Sequence, residues 1–263
     1  MSMSPQNQNS SQFLDYRDSL IAKRLDEINR VILVGSGKGG VGKSLVSSTM
    51  GLLMSRSSFR TGLLDLDLHG PSSCHILKLN GKPAEEMEGL VPPSVLGLEV
   101  MSVDLFAQGR PLPLTGMAKQ EVIREVLALT AFKRLDYLIV DLPPGTGDEL
   151  LTIAKHTKTK AAAIIVTTPS KLSLASAKRV SQILRQLNIP IMGFIINMVI
   201  GMEDCKEAAR EAGAPLLGTI KFDPEIAYRL EDLGPENILR TRFAANLKQI
   251  LHESGFLVEK VFK

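Results

Sequence analysis

Contiguous apolar runs, not alternating ones, dominate the middle of this chain. Val31-Ile32-Leu33-Val34, Thr61 to Leu66, Leu98 to Val103, Tyr137-Leu138-Ile139-Val140, Ala161 to Val166, Ile191 to Ile196 and Leu216 to Ile220 each read as a strand. A run without polar interruption predicts a strand covered on both faces. Between these runs the apolar spacing becomes helical, over Ser44–Ser55, Met117–Leu129, Glu149–His156, Leu172–Leu187, Glu203–Ala212 and Arg242–His252. Strands and helices in alternation predict a single α/β domain, with a mostly parallel central sheet and helices on both faces.

The flanks read differently. Residues 1–12 are rich in Ser, Asn and Gln and predict a disordered tail. Over residues 13–29, Leu14, Leu20, Ile21, Leu25 and Ile28 recur at near-helical spacing with charges between them. That pattern predicts an amphipathic helix packed on its own domain, which then occupies residues 30–263. Gly81 to Gly97 is rich in Pro, Gly and Glu and reads as a surface excursion.

Composition narrows the picture a little. The 263 residues can bury one large core, and 44% hydrophobic with 22% charged residues is ordinary for a globular protein. A net charge of +3, no Trp and 5% aromatics give no footing for nucleic-acid binding. The longest apolar stretch, Ile189 to Ile200, is broken by Pro190, Gly193 and Asn197, and the polar start, Met1 to Gln12, predicts no secretory signal. Two cysteines, Cys74 and Cys205, make no disulfide framework, so a cytoplasmic location is the expectation. The tail Phe256 to Lys263 is apolar with two lysines; a segment so short binds membrane weakly, and capping the sheet edge is the favoured expectation.

The candidate chemistry follows the first apolar run. Gly37-Lys38-Gly39-Gly40-Val41-Gly42-Lys43-Ser44 fits the phosphate-loop pattern G-x-x-x-x-G-K-S/T, between a predicted strand and a predicted helix. Such a loop aims backbone N–H groups and a helix N-terminus at a polyanion. Gly37, Lys38, Gly39, Gly40, Val41, Gly42, Lys43, Ser44 and the following Leu45 are the expected nucleotide contacts. Lys43 is expected on the β- and γ-phosphates of ATP, and the Ser44 hydroxyl on Mg²⁺. Asp65, Asp67 and Asp141 end apolar runs at the carboxyl edge of the sheet, where ligands of open α/β folds sit. Asp141 and Asp65 are expected around the metal, partly through water, and Asp67 on the attacking water. Asp141-Leu142-Pro143-Pro144-Gly145-Thr146-Gly147-Asp148 combines two restricting prolines with two permissive glycines, as a two-state loop would. Asp148 also suits the N-cap of the helix after it.

Three stretches resemble the MinD/ParA/Mrp superfamily of deviant phosphate-loop ATPases, and most closely its Mrp (ApbC-like) iron–sulfur cluster carrier branch. They are GKGGVGKS from Gly37 to Ser44, Asp65-Leu66-Asp67-Leu68-His69-Gly70-Pro71-Ser72, and Asp141 to Asp148. Pro215-Leu216-Leu217-Gly218 and Asp223-Pro224 resemble the family's later strand and adenine-side loop. The resemblance implies a homodimer with two nucleotides at its interface and Lys38 reaching the partner's phosphates, as an arginine finger does. It implies that Asn197 faces the adenine, and that iron–sulfur assembly proteins or apoprotein clients are the partners. Family members carry a C-x-x-C pair after the position of Asn197; here Cys205 stands alone. Cys205 is the candidate iron–sulfur ligand, and two such thiols across a dimer would need other groups to complete a cluster. A regulatory or positioning ATPase of the MinD or ParA kind, without metal cargo, is the alternative. A small-molecule kinase using the same loop fits less well, because such enzymes usually lack the second lysine.

Overall fold

The computed structural model describes residues 16–257 apart from 69, 108–115, 158, 202–208 and 211–212. The strands are β1 (Ile28–Ser36), β2 (Thr61–Asp65), β3 (Ala84–Glu86), β4 (Gly89–Val91), β5 (Ser94–Val95), β6 (Leu98–Ser102), β7 (Leu135–Asp141), β8 (Ala161–Thr167), β9 (Ile191–Val199) and β10 (Leu216–Lys221). The helices are α1 (Tyr16–Asp26), α2 (Lys43–Arg56), α3 (Ser73–Ile76), α4 (Asp104–Ala107), α5 (Gly116–Leu129), α6 (Asp148–Thr157), α7 (Lys171–Gln186), α8 (Pro224–Arg229), α9 (Pro235–Ile238) and α10 (Arg242–Glu253).

Eight strands form one sheet in the order β10-β9-β8-β1-β7-β2-β6-β5, parallel except for the β5 edge. The alternating direction of side chains along each strand sorts the core into two layers. Val31 and Leu33 of β1, with Leu138 and Val140 of β7, face α1, α5, α6 and α7. Ile32 and Val34, with Leu63 and Ile139, face α2, α3 and α10. Removing one such buried Leu or Ile to Ala costs about 2–5 kcal/mol. Helix α2 is buried nearly all round, between the sheet and α10, so its Ser and Thr residues are interior too.

The register places the acidic residues. Asp65 of β2 is the register partner of Asp141 of β7, which in turn lies opposite Val34 of β1. Both carboxylates share the parity of Leu63 and Ile139, and so they project from the face that α2 covers.

Several expectations are corrected. Ile28 belongs to β1, opposite Leu135, rather than to the N-terminal helix, which ends at Asp26. The excursion from Gly81 to Gly97 contains β3 and β4 as a two-stranded antiparallel pair and β5 on the sheet edge. Asp148 is the first residue of α6 rather than its cap, where its charge still suits the helix dipole. The expected disordered tail, and most of the helix expected over Glu203–Ala212, lie outside the described residues. Phe256 and Leu257 pack into the α2-side layer, and the rest of the C-terminal tail lies outside the described residues. Among the described residues no helix is long and apolar enough to cross a membrane.

Candidate functional site

The loop between β1 and α2 curls over the carboxyl edge of the sheet. Gly42 takes a left-handed conformation (φ 84°) just before the first turn of α2. Gly37 lies against the backbone of Ser176 and Ala177 in α7, with no room for a Cβ. At Gly39 and Gly40 the opposite holds: open space surrounds the missing Cβ, and both residues line a cleft. That cleft, about 470 Å³, is lined on one side by Lys38, Gly39, Gly40, Gly42, Lys43 and Ser44. Its volume suits a small-molecule ligand.

Lys43 is buried, and its Nζ lies 2.9 Å from Asp141 Oδ1 and 3.9 Å from Asp67 Oδ2. It also reaches the Ser44 hydroxyl at 3.3 Å. The Ser47 hydroxyl, one turn along α2, lies 2.7 Å from the same Asp141 oxygen. Asp141 Oδ2 is fully buried and has no hydrogen-bond partner among the described residues. A buried carboxylate oxygen left without a partner is costly, so this atom is poised for a further cation or donor.

Asp65 is equally buried, but both its oxygens accept backbone hydrogen bonds, from Asp67 N–H at 3.1 Å and Ser73 N–H at 3.0 Å. It thereby ties the strand end to the start of α3. Burial first, and the Asp141 carboxylate second, push its pKa up to about 7. Asp67 accepts from Gly70 N–H at 3.2 Å and borders the cleft. The segment after Asp141 is fixed to β1 through Leu142 N–H on Val34 (3.0 Å) and Gly145 N–H on Ser36 (2.8 Å). Pro144 therefore reaches the cleft wall.

The structure thus brings Lys43, Ser44, Asp65, Asp67 and Asp141 together at one edge, with exposed Lys38 at the mouth. Val41 is buried beneath the loop and Leu45 lines the cleft. Asn197 is buried beside the loop, its amide donating to the Val41 carbonyl at 2.9 Å. Asp223 and Pro224 sit elsewhere in the local architecture. Asp223 accepts from Glu225 N–H at 3.0 Å and Phe243 N–H at 3.0 Å, so it caps α8 and clamps it to α10. The cleft wall on that side is instead Leu230 and Glu231, facing His75 and Ile76. Pattern reasoning missed these four, because no spacing rule links segments so far apart. The Asp223-Pro224 cap was open to it: Asp before a proline at the first helical position is a helix-start signal. Cys205 lies outside the described residues. Cys74 is buried in α3, and burial pushes its thiol up to about 12, which leaves it inert rather than ligating.

Comparison with known proteins identifies the family. The family model described as ParA, NUBPL iron-transfer P-loop NTPase, matches residues 27–253. An iron-sulfur cluster carrier protein of Aquifex aeolicus is 33% identical over 79% of the chain, and the chain spans 61% of that relative's length. A cytosolic Fe-S cluster assembly factor Nubp2 homolog of Aedes aegypti is 37% identical over 77% of the chain and 86% of its own length. Among solved structures, a nucleotide-binding protein from Archaeoglobus fulgidus in complex with ADP is 34% identical. It has a TM-score of 0.70 and covers 83% of this chain and 91% of its own. The septum site-determining protein MinD of Pyrococcus horikoshii, 20% identical with a TM-score of 0.66, covers 88% of this chain and 99% of its own and shares the fold.

Proposed function

The chain belongs to the ParA/NUBPL family of P-loop NTPases, and from that premise we propose that it is a Mg²⁺-dependent, ATP-hydrolysing homodimer of the cytosol that serves iron–sulfur cluster assembly or transfer to apoproteins. The observation that carries the catalytic half is the buried Lys43–Asp141 pair at 2.9 Å, beneath an open glycine loop. An ammonium held there by a carboxylate is a phosphate ligand parked on a substitute anion. When triphosphate enters, Lys43 exchanges Asp141 for the β- and γ-phosphates, while the loop N–H groups and the α2 dipole hold the rest. Ser44, Asp65 and Asp141 are the groups that would hold Mg²⁺, partly through water, and the partnerless Asp141 Oδ2 fits that use. Bound there, the metal would neutralise charge developing on the phosphates. Asp67, at the cleft wall, orients or deprotonates the attacking water. Lys38, exposed at the mouth, crosses to the partner's nucleotide and stabilises transition-state charge in trans.

The Fe–S role rests on relatives named for cluster carriage and assembly. The cluster is cargo, and Cys205 is its candidate ligand in this chain. Anaerobic reconstitution with iron and sulfide, followed by visible absorption and metal analysis, tests this half. A brown product that loses its colour in Cys205→Ser supports cargo binding. A colourless product, with partner proteins present, favours an ATPase switch without metal cargo.

A further inference from the structure

The strand-end amide of Asn197 does something the phosphate-loop pattern does not contain. Its side chain is buried (3% exposed), and Nδ2 donates to the carbonyl of Val41 at 2.9 Å. Its Oδ1 accepts from Met198 N–H at 2.9 Å, which fixes the amide's orientation, with Met198 in a left-handed conformation (φ 59°). Both ends of the amide are therefore committed to backbone.

We propose that Asn197 is a positioning residue that aims the Gly42 N–H into the phosphate cradle. The trans peptide is planar. The Val41 carbonyl and the Gly42 N–H belong to one peptide unit and point in opposite directions. Asn197 holds the carbonyl on the buried side, away from the cleft, so the N–H turns toward the cleft that Gly42 lines. The left-handed Gly42 (φ 84°) completes the turn, and a Cβ there would run into Asn197 Nδ2. The Asn197 amide and the absence of a side chain at position 42 thus form one device. Without the amide, the Val41 carbonyl loses its buried donor, and the peptide is free to present oxygen instead of N–H to an anion.

This inference rests on the triphosphate reading above, and it makes a statement distinct from a contact with the base. The test is calorimetric titration of ATP, and separately of inorganic tripolyphosphate, with magnesium present. The proteins are the wild type, Asn197→Ala and Asn197→Leu. Leu is close to Asn in shape and removes the donor without adding charge near the phosphates, so it remains available should the Ala variant fail to fold. Positioning predicts that ATP and tripolyphosphate weaken by the same factor, about tenfold, as befits one charge-assisted hydrogen bond. A merely structural residue would lower the melting temperature and leave both affinities in place, which overturns the proposal. Weakening of ATP with tripolyphosphate unchanged assigns the amide to the base and also overturns it. Wild-type protein that takes up neither ligand removes the triphosphate site itself. Wild-type binding with unaltered variants removes only the role given to Asn197.

Discussion

At the scale of single residues, the site is a set of charges held ready for a larger charge. Lys43 is buried against Asp141, and Asp65 is buried with both oxygens on backbone N–H groups. Lys38 is different: it is exposed, and its carbonyl accepts from the Ser36 hydroxyl at 3.1 Å. Under the role in trans proposed for it, Lys38 would be dispensable for holding the nucleotide and decisive for turning it over. Lys38→Ala should keep ATP affinity within about threefold and lower turnover by about a thousandfold, the range seen for a charge supplied in trans. Steady-state phosphate release alongside equilibrium nucleotide binding checks this, and unchanged turnover removes Lys38 from the mechanism. The phosphate-loop lysine and the three aspartates were legible because each ends or follows an apolar run. Asn197 was singled out only through the resemblance, as an adenine-side residue; its contact with Val41 spans 156 positions and leaves no local trace.

At the scale of elements, burial decides what can be read from a pattern. β1, β2, β7, β8 and β9 are lined with fully buried aliphatic residues, and so their runs announce them. β3 is exposed throughout and carries Ala and Glu, so only its backbone ladder with β4 makes it a strand. Strand ends were misplaced for the same reason: Asp141 and Thr167 continue the hydrogen-bond ladder after hydrophobicity stops. α1 docks differently again, through Ile21 and Leu25 in the core and through Arg17–Glu121 (2.5 Å) and Asp18–Arg124 (2.9 Å) to α5. The α6 residue His156 lies beneath it, 3.8 Å from Asp18, with a side chain 9% exposed. Burial depresses the His156 pKa below its ordinary value, more strongly than Asp18 raises it, and Lys155 and Arg124 depress it further. A base with a depressed folded pKa is stabilising while neutral. The unfolded chain takes up the proton first, so stability is complete above the unfolded value near 6.5 and falls as pH drops below it. The melting temperature should therefore drop more steeply between about pH 7.5 and about pH 5.5 in wild type than in His156→Gln, by about a few degrees. Parallel pH profiles would contradict this account of the α1 contact.

At the scale of the whole molecule, the sheet order brings every proposed catalytic group to one rim. β1 lies between β7 and β8, and the loop after β1 therefore opens beside the Asp141 segment. The same rim exposes Leu151 and Leu172 in the first turns of α6 and α7, together with Ile200 just past β9 and Phe222 just past β10. Exposed apolar side chains at this edge would suit the proposed face that meets a second copy once nucleotide is bound. Asp67→Ala should then arrest hydrolysis after assembly, and size-exclusion with ATP and magnesium should show a persistent dimer. A monomer under those conditions would argue against the two-nucleotide interface. The fold class was fully legible, because the alternation of buried runs and helical segments admits few arrangements. The cleft's far wall was not, since His75, Leu230 and Glu231 meet there only through the tertiary fold.

The most direct measurement is calorimetric titration of ATP into the purified protein with magnesium, in wild type and Lys43→Ala. The account predicts a saturable heat for wild type, near one nucleotide per chain, and none for the folded variant. A flat titration for folded wild type, or equal heats for the two proteins, would contradict it.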